Sequence, residues 1–447
     1  MNAMGVRWTA EQVLALAPDD ASRSAGSKLG TAGPWSGRGS GGGAVWGLCK
    51  GSGRVPYRTV VDTTGPAYWC ECPSRKFPCK HALGLLLLQA SDGTESGESA
   101  APDWAGRWLA ARRERAGSAA RETGGGAGGP ADPEAARRRA ERRAARITSG
   151  AEELEQRLAD LLRGGLAAAE QRGYGPWEET AARMVDAQAP GLAGRVRELG
   201  AIPGSGPGWP VRLLEECALT HLLDRAWLTA DRLPAPLATT VRTRVGLPAP
   251  VGDVPVRDHW LVLAQYDAAD ARLTTRRIWL HGTASGRTAL LLSFGAAGRA
   301  PRLALPVGAV LDGELTPHAG SGRLRAEPGE QFVPVEGPVA PPPGGPVGAA
   351  LDAYGRALRE DPWLDSWPVT LSEVVPARAE YGWQLADADG REALPLTPAA
   401  QSRPGLWRLV ALSGGAPVTV FGECGHRGFT PLTAWSPETP GETVPLI

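Results

Sequence analysis

The sequence predicts an α+β protein: a small module built around a cysteine–histidine cluster, a helical domain, and an antiparallel β-rich C-terminal region. Three observations carry this reading. Cys70, Cys72, Cys79 and His81 crowd into one short stretch. After residue 133, apolar residues recur at three- and four-residue steps, the period of a helix with one buried face. After Pro248 and Pro250 that period gives way to short runs rich in β-branched and aromatic residues between Gly-containing turns. The expected divisions are a metal-binding module at 1–90, a flexible linker at 91–132, a helical domain at 133–247, an antiparallel β-rich domain at 248–340 and an α+β, β-rich domain at 341–447.

The chain has 447 residues, and its 48 basic side chains balance 48 acidic ones. The length suggests about three domains. The abundance of Gly, Pro, Ala and Arg, against only four lysines, suggests a GC-rich bacterial genome. Neutrality conceals an asymmetry: residues 1–146 carry an excess of about seven positive charges, balanced by the rest. Met1–Ala10 has no cationic-then-apolar signal pattern. No apolar run reaches the ~20 residues that cross a bilayer, and Leu83–Leu88 is the longest. The expectation is a cytoplasmic protein, where reduced thiols favour metal binding over disulfides.

In chain order, Thr9-Ala10-Glu11-Gln12 is a capping box that opens a short helix ending near Pro18. Residues 19–43, rich in Gly and Ser, read as a loop. Within them Gly37–Gly42 fits G-x-G-x-x-G but lacks the strand before and helix after that a phosphate cradle needs. Ala44–Lys50 and Tyr57–Thr63 read as strands around a Gly51-Ser52-Gly53 turn, and Ala67–Cys70 as a further short strand.

The cluster itself reads Cys70-x-Cys72, six residues, then Cys79-x-His81. Three thiols and one imidazole suit tetrahedral Zn²⁺, and chelating pairs at the ends of a short loop need little chain ordering to meet one ion. Four protein ligands leave no open position, so the expected cofactor is one structural zinc rather than a catalytic one. This pattern, with the apolar helix Ala82–Leu88 after it and Pro73–Pro78 between the pairs, resembles the SWIM-type zinc finger of the bacterial branch of that family. The resemblance spans roughly residues 44–90. It implies zinc binding, a ββα-like module, DNA binding or protein–protein contact, and no reaction. It also implies, for bacterial members, company with MoxR-type AAA ATPases and von Willebrand A-domain proteins.

Beyond the cluster, residues 91–133 read mostly as linker, with at most a turn or two of helix at Trp104–Arg115 and a solvated basic face at Arg107, Arg112, Arg113 and Arg115. Asp132-Pro133-Glu134 starts a helix running to about Gln171. Its first half, with Arg137–Arg139, Arg142, Arg143 and Arg146, could lie along phosphates or face a polar partner equally well. Pro176–Gly200 and Trp209–Asp231 read as further helices. Cys217 and His221 share a helical face but have no further ligand nearby, so core packing is the expected role.

Trp260–Tyr266, Thr275–His281 and Thr288–Phe294 then read as consecutive antiparallel strands, and Leu303–Leu315 as two shorter ones. Ala349–Glu360 reads as a helix, and Val369–Val375, Tyr381–Ala386, Leu406–Ser413 and Pro417–Phe421 as strands. Trp260, Trp279, Trp383 and Trp407 are expected in the core. Cys424-Gly425-His426 echoes half of the chelating set without a C-x-C partner, and is not expected to bind metal.

Three functions compete. One is a zinc-stabilised, non-enzymatic adaptor whose finger docks a protein, with Cys79→Ser expected to unfold the finger alone. The alternative is a DNA- or RNA-binding protein. In it Arg75, Lys76 and Lys80 on the loop and Arg54 and Arg58 on the hairpin grip phosphates, and Trp46, Tyr57, Tyr68, Trp69 and Phe77 stack bases. The third is an enzyme in the C-terminal half, for which no nucleophile–base set is evident. The same five cations would be the contact residues for a protein partner, with Phe77 folding inward to prop the loop.

Overall fold

The computed structural model describes residues 8–18, 20–51, 53, 55–64, 67–74, 76–91, 99–124, 133–248, 254–269, 273–296, 301, 303–318, 324–335, 340–380 and 382–447. Arg54, Arg75, the expected cap Asp132 and most of the Gly-rich stretch 124–130 lie outside these residues.

Helix α1 (Ala10–Ala15) begins with the expected capping box. Thr9 Oγ1 accepts the Gln12 N–H at 3.2 Å, and the Thr9 N–H donates to Gln12 Oε1 at 3.0 Å. The stretch 19–43 is not a loop. It forms helix α2 (Asp20–Ser27) and strand β1 (Trp35–Gly41). Strands β2 (Ala44–Cys49), β3 (Tyr57–Asp62) and β4 (Ala67–Cys70) complete an antiparallel sheet in the order β1-β2-β3-β4. The Gly-rich run thus lies along an edge strand. A Cβ on Gly39 would stand 2.6 Å from Trp46 Nε1, so glycine is needed for the strand to cross the indole. Gly42 and Gly43, at φ 58° and 76°, make the two-residue turn into β2, a left-handed geometry that glycine adopts without penalty.

Helix α3 (Lys80–Ser91) buries every residue from His81 to Leu88. A helix apolar on all sides must be covered on all sides. The sheet covers one side and α1 and α2 another. The expected linker contains a full helix, α4 (Asp103–Gly124). Ala105 and Leu109 bury against Trp46 and Val60 on the other face of the sheet, with Trp104 and Trp108 beside them. The basic face is only partly solvated, because Arg112 Nε donates to Asp62 Oδ2 at 2.7 Å and Arg113 Nη2 to Gly42 O at 3.1 Å.

A helical layer follows: α5 (Pro133–Gly164), α6 (Ala167–Arg172), α7 (Gly175–Asp186), α8 (Pro190–Gly200), α9 (Trp209–Leu228) and α10 (Ala235–Arg244). The single helix expected over 176–200 is broken in two. Gln188 sits at φ 61° and Pro190 restarts the chain, since proline cannot continue a helical ladder. Ile147, Leu154, Met184, Leu192, Val196, Leu213 and Leu223 form its core. The basic opening of α5 has partners within the chain. Arg137 and Arg138 meet Glu141 and Glu134, Arg143 reaches Gly246 O, and Arg146 reaches Gln188.

Strands β5 (Val256–Ala269), β6 (Leu273–Gly282), β7 (Thr288–Ala296), β8 (Val310–Pro317) and β9 (Ala326–Val335) form an antiparallel sheet in the order β7-β6-β5-β8-β9. The stretch 303–315 supplies one strand here rather than two. After α11 (Val347–Glu360) come β10 (Ser366–Ala379), β11 (Gly382–Asp387), β12 (Ala393–Pro395), α12 (Pro398–Gln401), α13 (Gly405–Ser413), β13 (Val418–Gly425), β14 (Gly428–Trp435) and β15 (Val444–Pro445). The sheet order is β12-β11-β10-β13-β14-β15. Residues 406–413, expected as a strand, are helix α13. Leu406, Leu409 and Ser413 are buried at helical spacing, and Gly414 ends the helix in the left-handed region. Trp260 and Trp279 are core residues, whereas Trp407 is 62% exposed and lies edge-on to Trp383. The α+β class expected from the sequence holds.

These parts share cores. Trp260, Val262, Ile278, Leu280 and Leu291 of the five-stranded sheet belong to the same apolar cluster as Val45, Val61, Tyr68 and Leu83 of the N-terminal module. The two larger sheets meet through Leu261, Leu263 and Trp279 against Phe421, Leu432 and Trp435. Trp363 enters the helical core, donating its indole N–H to Leu219 O at 2.8 Å, while Asp361 pairs with Arg244 at 2.6 Å.

Candidate metal centre

Two elements deliver the four candidate ligands. Strand β4 ends at Cys70, held in register by its pairing with Thr59 on β3, and Cys72 follows two residues on. Cys79 sits at the mouth of α3, where its carbonyl accepts the Leu83 N–H at 3.0 Å, and His81 lies on the first turn. The Sγ atoms and an imidazole nitrogen all lie within 4.8 Å of one another, as groups that can share one ion. Cys79 and His81 are buried, and Cys70 and Cys72 half-buried.

The electrostatics fit a cation. Hydrogen bonds from Cys70, then Cys79, hold the Cys72 thiol far below its usual range. Contact with Cys72 pushes Cys70 up, and contact with Cys70 and Cys72 pushes Cys79 up much further. The cluster therefore accepts one negative charge readily and resists the second and third. Zn²⁺ supplies the missing positive charge, so binding displaces protons from the remaining thiols. Surrounding groups orient the ligands: Thr59 Oγ1 lies 3.2 Å from Cys70 Sγ, and the Tyr57 ring lies 5.1 Å from that of His81.

The expected contact cations divide. Lys76 and Lys80 are exposed beside the cluster. Arg58 is exposed on β3 but pairs with Glu71 at 3.6 Å, and Glu71 also accepts the Arg58 backbone N–H. Phe77 is half-buried and packs against the finger's core. Cys424 is buried in the C-terminal sheet, while His426 Nδ1 faces Tyr354 Oη at 3.5 Å. Cys217 is buried in the helical core, and His221 is exposed, 2.7 Å from Glu155. Sequence reasoning missed Lys50, which joins Lys76 and Lys80 at the mouth of the site. The only signal was its place at the end of β2, whose pairing of Cys49 with Tyr57 leads to the ligands.

A closed Cys₃His centre between a strand end and a helix start, followed by a helical layer, defines a zinc-finger protein with an attached helical bundle. Residues 57–89 match the SWIM zinc finger, and residues 142–245 match the SWIM-associated four-helix bundle domain. No curated protein and no solved structure matches the chain significantly. Among the described residues, no helix is long and apolar enough to cross a membrane.

Proposed function

We propose that the chain is a non-enzymatic adaptor whose zinc-stabilised finger docks a protein partner, with Lys76, Lys80 and Arg58 among the contacts. One observation carries the choice of protein over nucleic acid. Most of the aromatic residues that could stack bases are used in packing: Trp46 and Tyr68 are buried, Trp69 lies against Trp104 and Phe77 packs against the finger's core. That leaves Tyr57 alone of these at the mouth of the site rather than a series of stacking faces. Sequence-tolerant binding of single strands relies on exposed aromatic faces beside a basic track. The closed ligand set also leaves no coordination position for a substrate. The MoxR-type ATPases and von Willebrand A-domain proteins that the family resemblance brings with it are the first partners to test.

The test is affinity capture from a lysate of the protein's own cells, with wild type and Cys79→Ser side by side and nuclease treatment in parallel. Proteins retained by wild type, resistant to nuclease and lost with Cys79→Ser, support the adaptor. Nuclease-sensitive material retained through the finger would favour nucleic acid.

A further inference from the structure

A concavity of about 560 Å³ opens beside the metal centre, between α2, the end of β2 and the loop that joins the ligand pairs. Cys72 and His81 form part of its wall, Leu29 and Tyr57 give it an apolar side, and Lys50, Lys76 and Lys80 line it. All three lysines are exposed. The chain has four lysines in all, so this one mouth gathers all but Lys28, while arginine serves as the cation almost everywhere else. The two residues are not equivalent. Arginine holds a carboxylate in a rigid fork, whereas the lysine ammonium is a compact charge on a flexible stem that can follow a mobile anion.

We propose that this concavity is a docking pocket for an acidic segment of a protein partner. The proposal rests on the adaptor reading and names the chemistry of its partner. Zn²⁺ held by three thiolates and a neutral imidazole carries one net negative charge, which the ammonium groups of Lys50 and Lys80 alone exceed by one. A concave wall of one sign concentrates that field at the mouth. Lys50 and Lys80 have no ion-pair partner among the described residues. Arg58, by contrast, is paired with Glu71, and Arg112 with Asp62. Three lysines around one concavity have the shape of a pocket rather than of a track along a phosphate backbone. The apolar side at Leu29 and Tyr57 fits an aliphatic side chain between two carboxylates.

The experiment titrates full-length, zinc-loaded protein into a short fluorescein-labelled peptide of alternating Glu and Leu at about 0.15 M salt, where more distant charges are screened. A Lys–Leu peptide and a labelled oligo-dT of similar length serve as comparisons. The variants are Lys50→Gln, Lys76→Gln and Lys80→Gln combined, and Lys28→Gln as a charge control, each checked for zinc content. The expected result is preference for the acidic peptide, weakened about ten-fold or more in the triple variant and unchanged in Lys28→Gln. Equal binding by wild type and triple variant overturns the pocket. Tighter binding of oligo-dT than of peptide, lost in the triple variant, overturns the protein occupant in favour of phosphate. If partner capture is lost with Cys79→Ser but kept by the triple variant, the adaptor stands and the pocket falls. If capture is kept by both, the adaptor reading itself falls.

Discussion

The hydroxyl of Thr59 lies 3.2 Å from the sulfur of Cys70, across the β3–β4 pair, so a buried side chain two strand positions from Tyr57 reaches into the metal centre. Groups that contact metal ligands fix their orientation, and losing one typically costs 10–100-fold in metal affinity. Thr59→Val keeps the shape and removes the hydroxyl. It should weaken zinc binding by roughly ten-fold or more, measured by competition with a chromogenic chelator. An unchanged affinity would make this contact incidental.

Loss of a ligand should be felt beyond the finger. From the sequence alone, a finger behind a flexible linker is expected to unfold by itself in Cys79→Ser. The structure points elsewhere, because Val61, Tyr68 and Leu83 share a core with Trp260 and Ile278, and the Phe332 N–H donates to Thr64 O at 2.7 Å. Cys79→Ser should therefore lose zinc and also speed hydrogen exchange in β5, β6 and β9. Exchange there at the wild-type rate would contradict a common core.

Stability of the helical bundle should depend on Asp224. This side chain is fully buried on α9, and its carboxyl oxygens make no hydrogen bond among the described residues. Burial first, then the nearby charge of Glu155, pushes its pKa up to about 8. The folded state thus binds a proton more tightly than the unfolded chain, where an aspartate titrates near ~4. The stabilisation is complete below that value and falls away as pH rises towards 8, by about 1.4 kcal/mol per pH unit in between. Urea titrations across this range should show the slope in wild type and its loss in Asp224→Asn. Parallel profiles for the two proteins would refute the assignment.

Glu423 joins the two large sheets. Its carboxylate accepts from Tyr266 Oη at 2.6 Å, Trp279 Nε1 at 2.9 Å and Ser366 Oγ at 3.3 Å. Glu423→Ala leaves these donors without their acceptor, and should cost about 2–4 kcal/mol. Glu423→Gln keeps an acceptor oxygen and should cost less. Chemical denaturation of the two variants decides it, and equal losses would assign the effect to packing alone.

The metal centre was legible because its chemistry is local. Both chelating pairs lie within one short loop, and the types of the residues name the ion. The helical layer was legible because Ile147, Ala151, Leu154 and Leu158 repeat at the helical period. Strand β1 was hidden because its glycines look like a loop, although packing over Trp46 is what requires Gly39. Helix α4 was obscured by its arginines, and α13 by a short apolar run that suits strand or helix equally. The signals present, Pro404 before α13 and Gly414 after it, favour the helix. Which strands pair across the sheets, and which lysines gather at one mouth, depends on contacts between residues distant in sequence, and no local pattern records those.

The distribution of lysines also makes this surface chemically addressable. Amine-reactive reagents modify exposed lysine side chains, and arginine does not take part. With Lys50, Lys76 and Lys80 around one opening and Lys28 as the remaining lysine, such a reagent becomes close to a site-directed label without any engineering. A short amine-to-amine crosslinker added to the intact protein would join partners chiefly through the zinc-finger face. The position of each link would then map what lies against that face.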